Sequence, residues 1–232
     1  MQLFWGKNIG NERIYLDKDE LRHLTRSLRK RAGQHVQIID GSGQIFTSEL
    51  LTSTANDGLL KIITQDIMSP KWQGRIHLAI GLTKNTERIE WFVEKAVEIG
   101  IDEISFINSR NSERTHIRTE RIENIVRSAM KQSTNVFLPQ LHFELPFNQL
   151  FKEKTPTLIA SCLEIEKKTL KEAILPSIET RIIIGPEGDF TLDEINLALA
   201  KGAEIISLGN SRLRTETAGI YALSVYHHIN LV

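Results

Sequence analysis

Between Gln34 and Ile67 apolar and polar residues alternate in three runs, Val36–Asp40, Ile45–Leu51 and Leu59–Ile67. Gly41-Ser42-Gly43 and Asn56-Asp57-Gly58 separate these runs. Alternation of period two with glycine turns between the runs predicts a small antiparallel β unit with one buried face. A short helix is expected before it, around Asp19–Arg29. Pro70 and Gly74 then punctuate the chain, and beyond them the pattern changes.

From there short apolar runs alternate with amphipathic stretches. Ile76–Ile80, Glu103–Ile107, Leu158–Cys162, Thr180–Ile184 and Ile205–Leu208 read as strands. Helices are expected at Glu87–Ile99, closed by Gly100, at Glu120–Gln132, at Leu192–Lys201, and from about Thr217 to Ile229. The first has its apolar stripe at Ile89, Phe92, Val93, Ala96 and Val97, the second at Ile122, Ile125, Val126 and Ala129. Such alternation predicts an α/β domain with a mostly parallel sheet covered on both faces. The domains are expected at residues 1–70 and 71–232, with the boundary between residues 68 and 74.

With 232 residues, 41% of them hydrophobic and 25% charged, the chain can bury a real core. The start MQLFWGKN lacks the apolar run of a signal peptide, and no apolar stretch approaches membrane-spanning length. A cytoplasmic protein without a membrane partner is expected. The single cysteine, Cys162, excludes an intramolecular disulfide and a cysteine-rich metal site, so no metal is expected; it reads as a small apolar filler.

Lys+Arg and Asp+Glu balance at 29 each, so net charge does not announce a nucleic-acid partner. Local placement is more suggestive. Arg22, Arg26, Arg29, Lys30 and Arg31, with His23, fall in one acid-free stretch of ten residues. On a helix Arg22, Arg26 and Arg29 share a face that would suit a phosphate backbone, the alternative being an ordinary solvated face.

Two loops at strand ends carry the chemistry. Gly185-Pro186-Glu187-Gly188-Asp189-Phe190 follows the strand ending at Ile184 and leads into a strongly specified helix start. Thr191 and Glu194 form a capping box, while Phe190 and Ile195 stand at the positions of a hydrophobic staple. That places a rigid loop at the carboxyl end of a strand, where open α/β sheets bind ligands. The second loop, Leu208-Gly209-Asn210-Ser211-Arg212-Leu213-Arg214, precedes Thr215-Glu216-Thr217-Ala218-Gly219 and the last helix. Its arginines are either solvated or hold a charged nucleotide or a developing anion.

The order G-P-E-G-x-F, T-x-x-E and L-G-x-x-x-L-R-T-E-T-A resembles the trefoil-knotted (SPOUT) methyltransferases, specifically the RsmE family of 16S ribosomal RNA uridine-N3 methyltransferases. The resemblance runs nearly the whole length. It includes the H-L-x-x-x-L-R segment (His23, Leu24, Leu28, Arg29), the D-G-x-G turn at Asp40–Gly43, Glu98-Ile99-Gly100, Ser112-Glu113-Arg114 and Gln132-Ser133. Asp189 stands where that pattern has glycine, and Ser211 where it has arginine, with Arg212 displaced by one. Met130, Lys131 and Asn135 replace its usual charged residues near Gln132-Ser133.

The resemblance implies an RNA-binding PUA-like β-barrel over residues 1–70 and a trefoil-knotted domain over residues 71–232. It also implies S-adenosylmethionine bound between three loops. Ala160 and Leu163 would come from the first, Gly185, Pro186, Glu187 and Gly188 from the second, and Leu208, Gly209, Ser211 and Leu213 from the third, with Thr217 and Ala218 following. A homodimer is implied as well. The last helix, with Ala218, Ala222, Val225, Ile229 and nearby Tyr221, is expected at the dimer interface or, equally, in the intramolecular core. The partner implied is 16S ribosomal RNA or the small ribosomal subunit.

Methylation at uracil N3 requires removal of an imide proton. Arg214 is the first choice for stabilising the resulting anion, because a guanidinium stays charged and offers parallel donors. Glu216 is the choice for a base or for holding Arg214, with Glu187 the alternative. RNA contacts are expected from Arg22, Arg26, Arg29 and Arg31, from Arg110, Arg114 and Arg118, and from Arg212. A knotted methyltransferase acting on another RNA, such as transfer RNA, and an inert RNA-binding assembly factor remain the competing readings.

Overall fold

A computed structural model describes residues 2–53, 57–113 and 115–230. The chain forms two units, Met1–Pro70 with Arg127–Leu138, and Lys71–Val126 with Pro139–Val232.

Six strands build the first unit: β1 (Leu3–Trp5), β2 (Lys7–Gly10), β3 (Arg13–Leu16), β4 (His35–Ile39), β5 (Gln44–Ser53) and β6 (Gly58–Ile67). They lie in the order β1-β4-β5-β6-β3-β2, with β1 parallel to β4 and the other pairs antiparallel. Because β1 and β2 do not pair with each other, the sheet is a curled half-barrel. The three alternating runs are β4, β5 and β6, whose inward residues include Val36, Ile38, Phe46, Leu50 and Leu60. Asn56, in the expected turn between β5 and β6, lies outside the described residues. Gly41 and Gly43 both have φ of +87°, and a Cβ on Gly43 would stand 2.5 Å from the Phe137 ring. The glycines of that turn thus admit Phe137 against the sheet. Arg127 stacks over the Trp5 ring at 5.4 Å, and Lys131 pairs with Glu20.

The basic stretch departs from its expected geometry. Helix α1 covers only Lys18–Arg22, capped by Asp17, which accepts from the Asp19 and Glu20 amides at 3.1 and 3.0 Å. A π-helical turn, His23–Ser27, follows, and Arg29 has a left-handed φ of +54°. The wider turn and the reversed φ break the regular spacing, so Arg22, Arg26 and Arg29 do not share an α-helical face. All four arginines, Arg31 included, are exposed.

The second unit is a seven-stranded parallel sheet of order β11-β13-β10-β12-β7-β8-β9. In chain order its elements are β7 (Ile76–Gly81), α2 (Thr86–Ile99), β8 (Glu103–Asn108), α3 (Thr119–Ser133), β9 (Gln140–Pro146), a 3-10 turn (Phe147–Phe151) and β10 (Thr157–Ala160). β11 (Lys168–Thr169), α4 (Leu170–Ala173), β12 (Thr180–Ile184), α5 (Leu192–Ala200), β13 (Glu204–Ser207) and α6 (Thr215–Asn230) complete it. α3 runs past Val126 into residues that cluster with the half-barrel.

β7 and β12 are buried along their whole length, as expected of central parallel strands. The stripe Ile89, Phe92, Val93, Ala96 and Val97 of α2 is buried, and Gly100 ends that helix at φ +117°. In α6, Ala218, Ala222, Leu223 and Tyr226 are buried and the helix packs on α2 and β7. Of the two readings of its stripe, the intramolecular one therefore holds for Ala218 and Ala222. The exposed side carries Thr217, Tyr221, Ser224 and His228.

β13 lies between β10 and β11, two strands supplied by one earlier stretch of chain, and α6 then packs against α4 of that same stretch. The arrangement is consistent with the threading that the resemblance implies.

At the amino-terminal end of the central strands sits a buried polar cluster. Arg181 Nε donates to His77 Nδ1 at 2.9 Å, which fixes the imidazole proton on Nε2, facing Ser105 Oγ at 2.8 Å. Burial foremost, then the charges of Arg181, His142 and Arg75, push the His77 pKa down to about 3. The 3.4 Å approach of Glu103 to His77 Nδ1 is therefore not an ion pair; Glu103 pairs instead with Arg75 at 2.8 Å.

Since the folded pKa of His77 lies below the usual value of about 6.5, the unfolded chain binds a proton that the folded chain refuses. The stabilisation is complete above the unfolded pKa and declines as pH falls from there toward 3, by about 1.4 kcal/mol per pH unit. Urea melts between pH 7 and pH 4 should show a shallower decline for His77→Gln than for the wild type. Parallel declines would remove His77 from the acid sensitivity.

Candidate cofactor site

Three loops meet at the carboxyl ends of β10, β12 and β13 and enclose a cavity of about 580 Å³. The loop after β12 is fixed from both sides. Behind it Thr191 caps α5 in a complete capping box with Glu194, and Phe190 and Ile195 lie in one hydrophobic cluster. In front, β7 ends at Gly81, where a Cβ would stand 2.5 Å from Pro186 N and 2.7 Å from Pro186 Cδ. Only glycine lets strand and loop approach so closely.

Asp189 explains why glycine is usual at its position. Its φ is +57°, a left-handed conformation that an aspartate tolerates when its side chain bonds locally. Asp189 Oδ1 accepts from the Phe190 amide at 2.8 Å, and Oδ2 accepts from the Cys162 amide at 2.8 Å. The carboxylate thus ties the loop after β12 to the loop after β10. Lys167 braces the latter by donating from Nζ to the carbonyls of Ser161 (2.8 Å) and Leu163 (2.6 Å). Thr215 Oγ1 donates to Gly185 O at 3.0 Å and fastens the start of α6 to the same wall. Gly209 has φ +117° with open space around it, so its freedom serves the backbone turn.

Of the residues expected around a cofactor, Ala160, Gly185, Pro186, Glu187, Leu208, Gly209, Ser211, Leu213 and Ala218 line the cavity. Leu163, Gly188 and Thr217 do not. Leu163 packs onto the core, Gly188 accepts from Asn111 Nδ2 through its carbonyl at 3.0 Å, and Thr217 is exposed. On a helix Thr215 and Ala218 share a side while Thr217 points about 100° from Ala218 and about 160° from Thr215, which is why the cavity takes the former pair. Cys162 is exposed on the cavity wall and is no core filler. Asp189, Lys167 and Thr215 were not anticipated; the glycine-like position of Asp189 was the one available signal.

The charged groups expected to act on the substrate are partly assembled. Arg212 and Arg214 line the cavity and are exposed, and Arg214 makes no ion pair among the described residues. Glu216 is buried in the first turn of α6, and its charged neighbour is Arg88, at 3.7 Å, not Arg214. Arg88 also lies 3.8 Å from Glu187, and it was not anticipated. Arg212 reaches the Glu187 carbonyl at 3.5 Å. Of the other arginines expected to touch RNA, Arg110 pairs with Asp193 at 3.0 Å, Arg118 is exposed ahead of α3, and Arg114 lies outside the described residues.

Similarity to known proteins covers both units. The RNA methyltransferase domain family matches residues 70–227, and the RNA methyltransferase PUA domain family matches residues 16–63. The ribosomal RNA small subunit methyltransferase E of Synechocystis sp. is 31% identical over 227 residues, covering 91% of this chain and 71% of the relative. A crystal structure of a probable rRNA-methyltransferase from Porphyromonas gingivalis matches with a TM-score of 0.92 and 37% identity, over 99% of this chain and 98% of its own. The ribosomal RNA small subunit methyltransferase E of Neisseria gonorrhoeae, solved bound to S-adenosyl methionine, matches with a TM-score of 0.83 and 26% identity, over 98% and 97% of the two chains. With both domain families in place and likeness to these proteins over most of this chain, the chain belongs to the RNA methyltransferase family and, within it, to the ribosomal RNA small subunit methyltransferase E (RsmE) group.

Proposed function

We propose that the protein transfers a methyl group from S-adenosylmethionine to N3 of a uridine in 16S ribosomal RNA. The observation that carries this reading is the three-loop cavity, about 580 Å³ in volume, inside the range of small-molecule sites. Its wall fits the cofactor chemically: Gly, Ala and Pro backbone for an adenine edge, and charged groups of both signs for an amino acid portion. When bound, S-adenosylmethionine supplies a methyl carbon already activated by its sulfonium. The protein's task is alignment of the attacking nitrogen and management of its proton.

Arg214 is our choice to hold a uracil carbonyl as negative charge develops, a reading supported by its exposure at the cavity with no ion pair among the described residues. Of the two carboxylates expected as proton acceptor, Glu187 lines the cavity, whereas Glu216 is buried off its wall. The exposed arginines Arg22, Arg26, Arg29 and Arg31 suit phosphate contacts, as do Arg118 and Arg212, and such contacts offset the unstacking of the target base. A homodimer fits the exposed Trp91 of α2 and Tyr221 of α6, large aromatics on two helices that pack together. Among the described residues no helix is long and apolar enough to cross a membrane. A ribosomal substrate puts the site of action in the cytoplasm.

Ribosomal RNA nucleosides from a strain lacking this gene should lose 3-methyluridine in mass spectrometry and regain it when the gene is restored. Unchanged 3-methyluridine with loss of another methylated nucleoside would reassign the target base.

A further inference from the structure

Among the described residues the cavity wall carries two carboxylates, Glu187 and Asp189, and three cations, Lys167, Arg212 and Arg214. Glu187, Arg212 and Arg214 are exposed, so water and salt screen them. Lys167 is half-buried, with its ammonium closed between the carbonyls of Ser161 and Leu163. Asp189 is half-buried too and makes no ion pair among the described residues.

The Asp189 carboxylate is fixed in place but not used up. Its Oδ1 accepts from the Phe190 amide and its Oδ2 from the Cys162 amide, both at 2.8 Å, with Ser161 Oγ 3.5 Å from Oδ2. A carboxylate offers about four acceptor positions, so the two short bonds leave room for more. Since the two amides belong to different loops, the group cannot swing away from the wall without releasing both. A negative charge held in this way needs no rearrangement to act on a ligand.

We propose that Asp189 is a specificity-determining residue, whose carboxylate makes the cavity favour the charged methyl donor over the product left after transfer. This deepens the reading of the protein as an S-adenosylmethionine-dependent methyltransferase and rests on it. S-adenosylmethionine and S-adenosylhomocysteine share their adenine, ribose and amino acid portions. They differ by one methyl group and one positive charge, because loss of the methyl leaves the sulfur neutral. Whatever Asp189 touches in the shared portions cancels when the two are compared, whereas its attraction for the extra charge does not. That attraction is strongest where water is partly excluded, as it is here. The carboxylate therefore holds the donor and releases the product, so that the site refills. Because it favours the donor before reaction, removing it should weaken donor binding without raising the barrier from the bound state.

The test is calorimetry of wild type, Asp189→Asn and Asp189→Gly with three ligands: S-adenosylmethionine, S-adenosylhomocysteine and sinefungin, which carries an ammonium in place of the sulfonium. Asparagine keeps the shape of the side chain, and glycine suits the φ of +57°, so the backbone turn survives in one variant or both. Each variant should lose about tenfold more affinity for S-adenosylmethionine than for S-adenosylhomocysteine, with sinefungin following the former. Single-turnover methylation at saturating donor should stay within about threefold of wild type. Added salt should narrow the preference of the wild type for the charged ligands, a readout that needs no variant.

Equal weakening of all three ligands would overturn the proposal and leave Asp189 as a tie between two loops. So would affinity ratios that match the wild type in both variants, or a wild-type preference that salt does not move. A wild type that binds none of the three ligands would instead sink the underlying reading of the cavity.

Discussion

Arg214→Ala should lower methyl transfer about 10²–10³-fold while leaving S-adenosylmethionine binding within about threefold of wild type. The expectation rests on what surrounds the guanidinium. Arg214 is exposed at the cavity and has no carboxylate partner among the described residues, so its removal leaves no buried charge behind and does not unsettle the fold. The loss falls on the transition state, where charge appears on the uracil. Lysine at this position should recover only part of the rate, because it cannot offer two parallel donors to one carbonyl. Single-turnover assays with calorimetry on the same samples would decide. Near-normal turnover of the alanine variant would leave Arg214 without a part in the reaction.

Gly81→Ala should weaken S-adenosylmethionine binding by about two orders of magnitude although Gly81 is not itself on the cavity wall. A methyl group there would stand 2.5 Å from Pro186 N and 3.0 Å from Gly185 C. These are backbone atoms at a well-braced turn, held by the α5 capping box on one side and by Thr215 on the other. Overpacking of this kind costs about 1–3 kcal/mol, and the least resistant direction is outward, into the space the ligand needs. The melting temperature should fall by only a few degrees, consistent with a cost of that size. Calorimetry that returns the wild-type dissociation constant would show that the spacing of β7 and the β12 loop does not define the cavity.

The parts of this site that were legible in the sequence share a property: their signals are local. The loop after β12 announces itself through Gly185, Pro186 and the pairing of Thr191 with Glu194, all within one short stretch, and each behaves as expected. The stripe of α2 and the central strands follow from periodicity for the same reason. The basic helix failed because a π-helical turn is a choice of hydrogen-bond partner that residue spacing does not encode.

Strands β1, β2 and β3 went unseen although β10 and β13, of similar length, were read: those two carry short apolar runs, whereas β2 is exposed throughout and β3 alternates over only four residues. Arg88 and Gly81 were missed because what gives them meaning, Glu187, Glu216 and Pro186, arrives from distant stretches of chain. That Arg127–Leu138 clusters with the half-barrel likewise depends on Trp5, Glu20 and Gly43, none of which is near in sequence.

The insertion of β13 between β10 and β11 bears on how the protein comes into being. Two of the ligand's three walls come early in the chain, but the third follows β13, and β11, an edge strand that pairs with β13, joins the sheet only once β13 is in place. A growing polypeptide would therefore remain blind to the methyl donor until its closing stretch had emerged from the ribosome and settled. Competence to bind would appear in one late step rather than accumulate during synthesis.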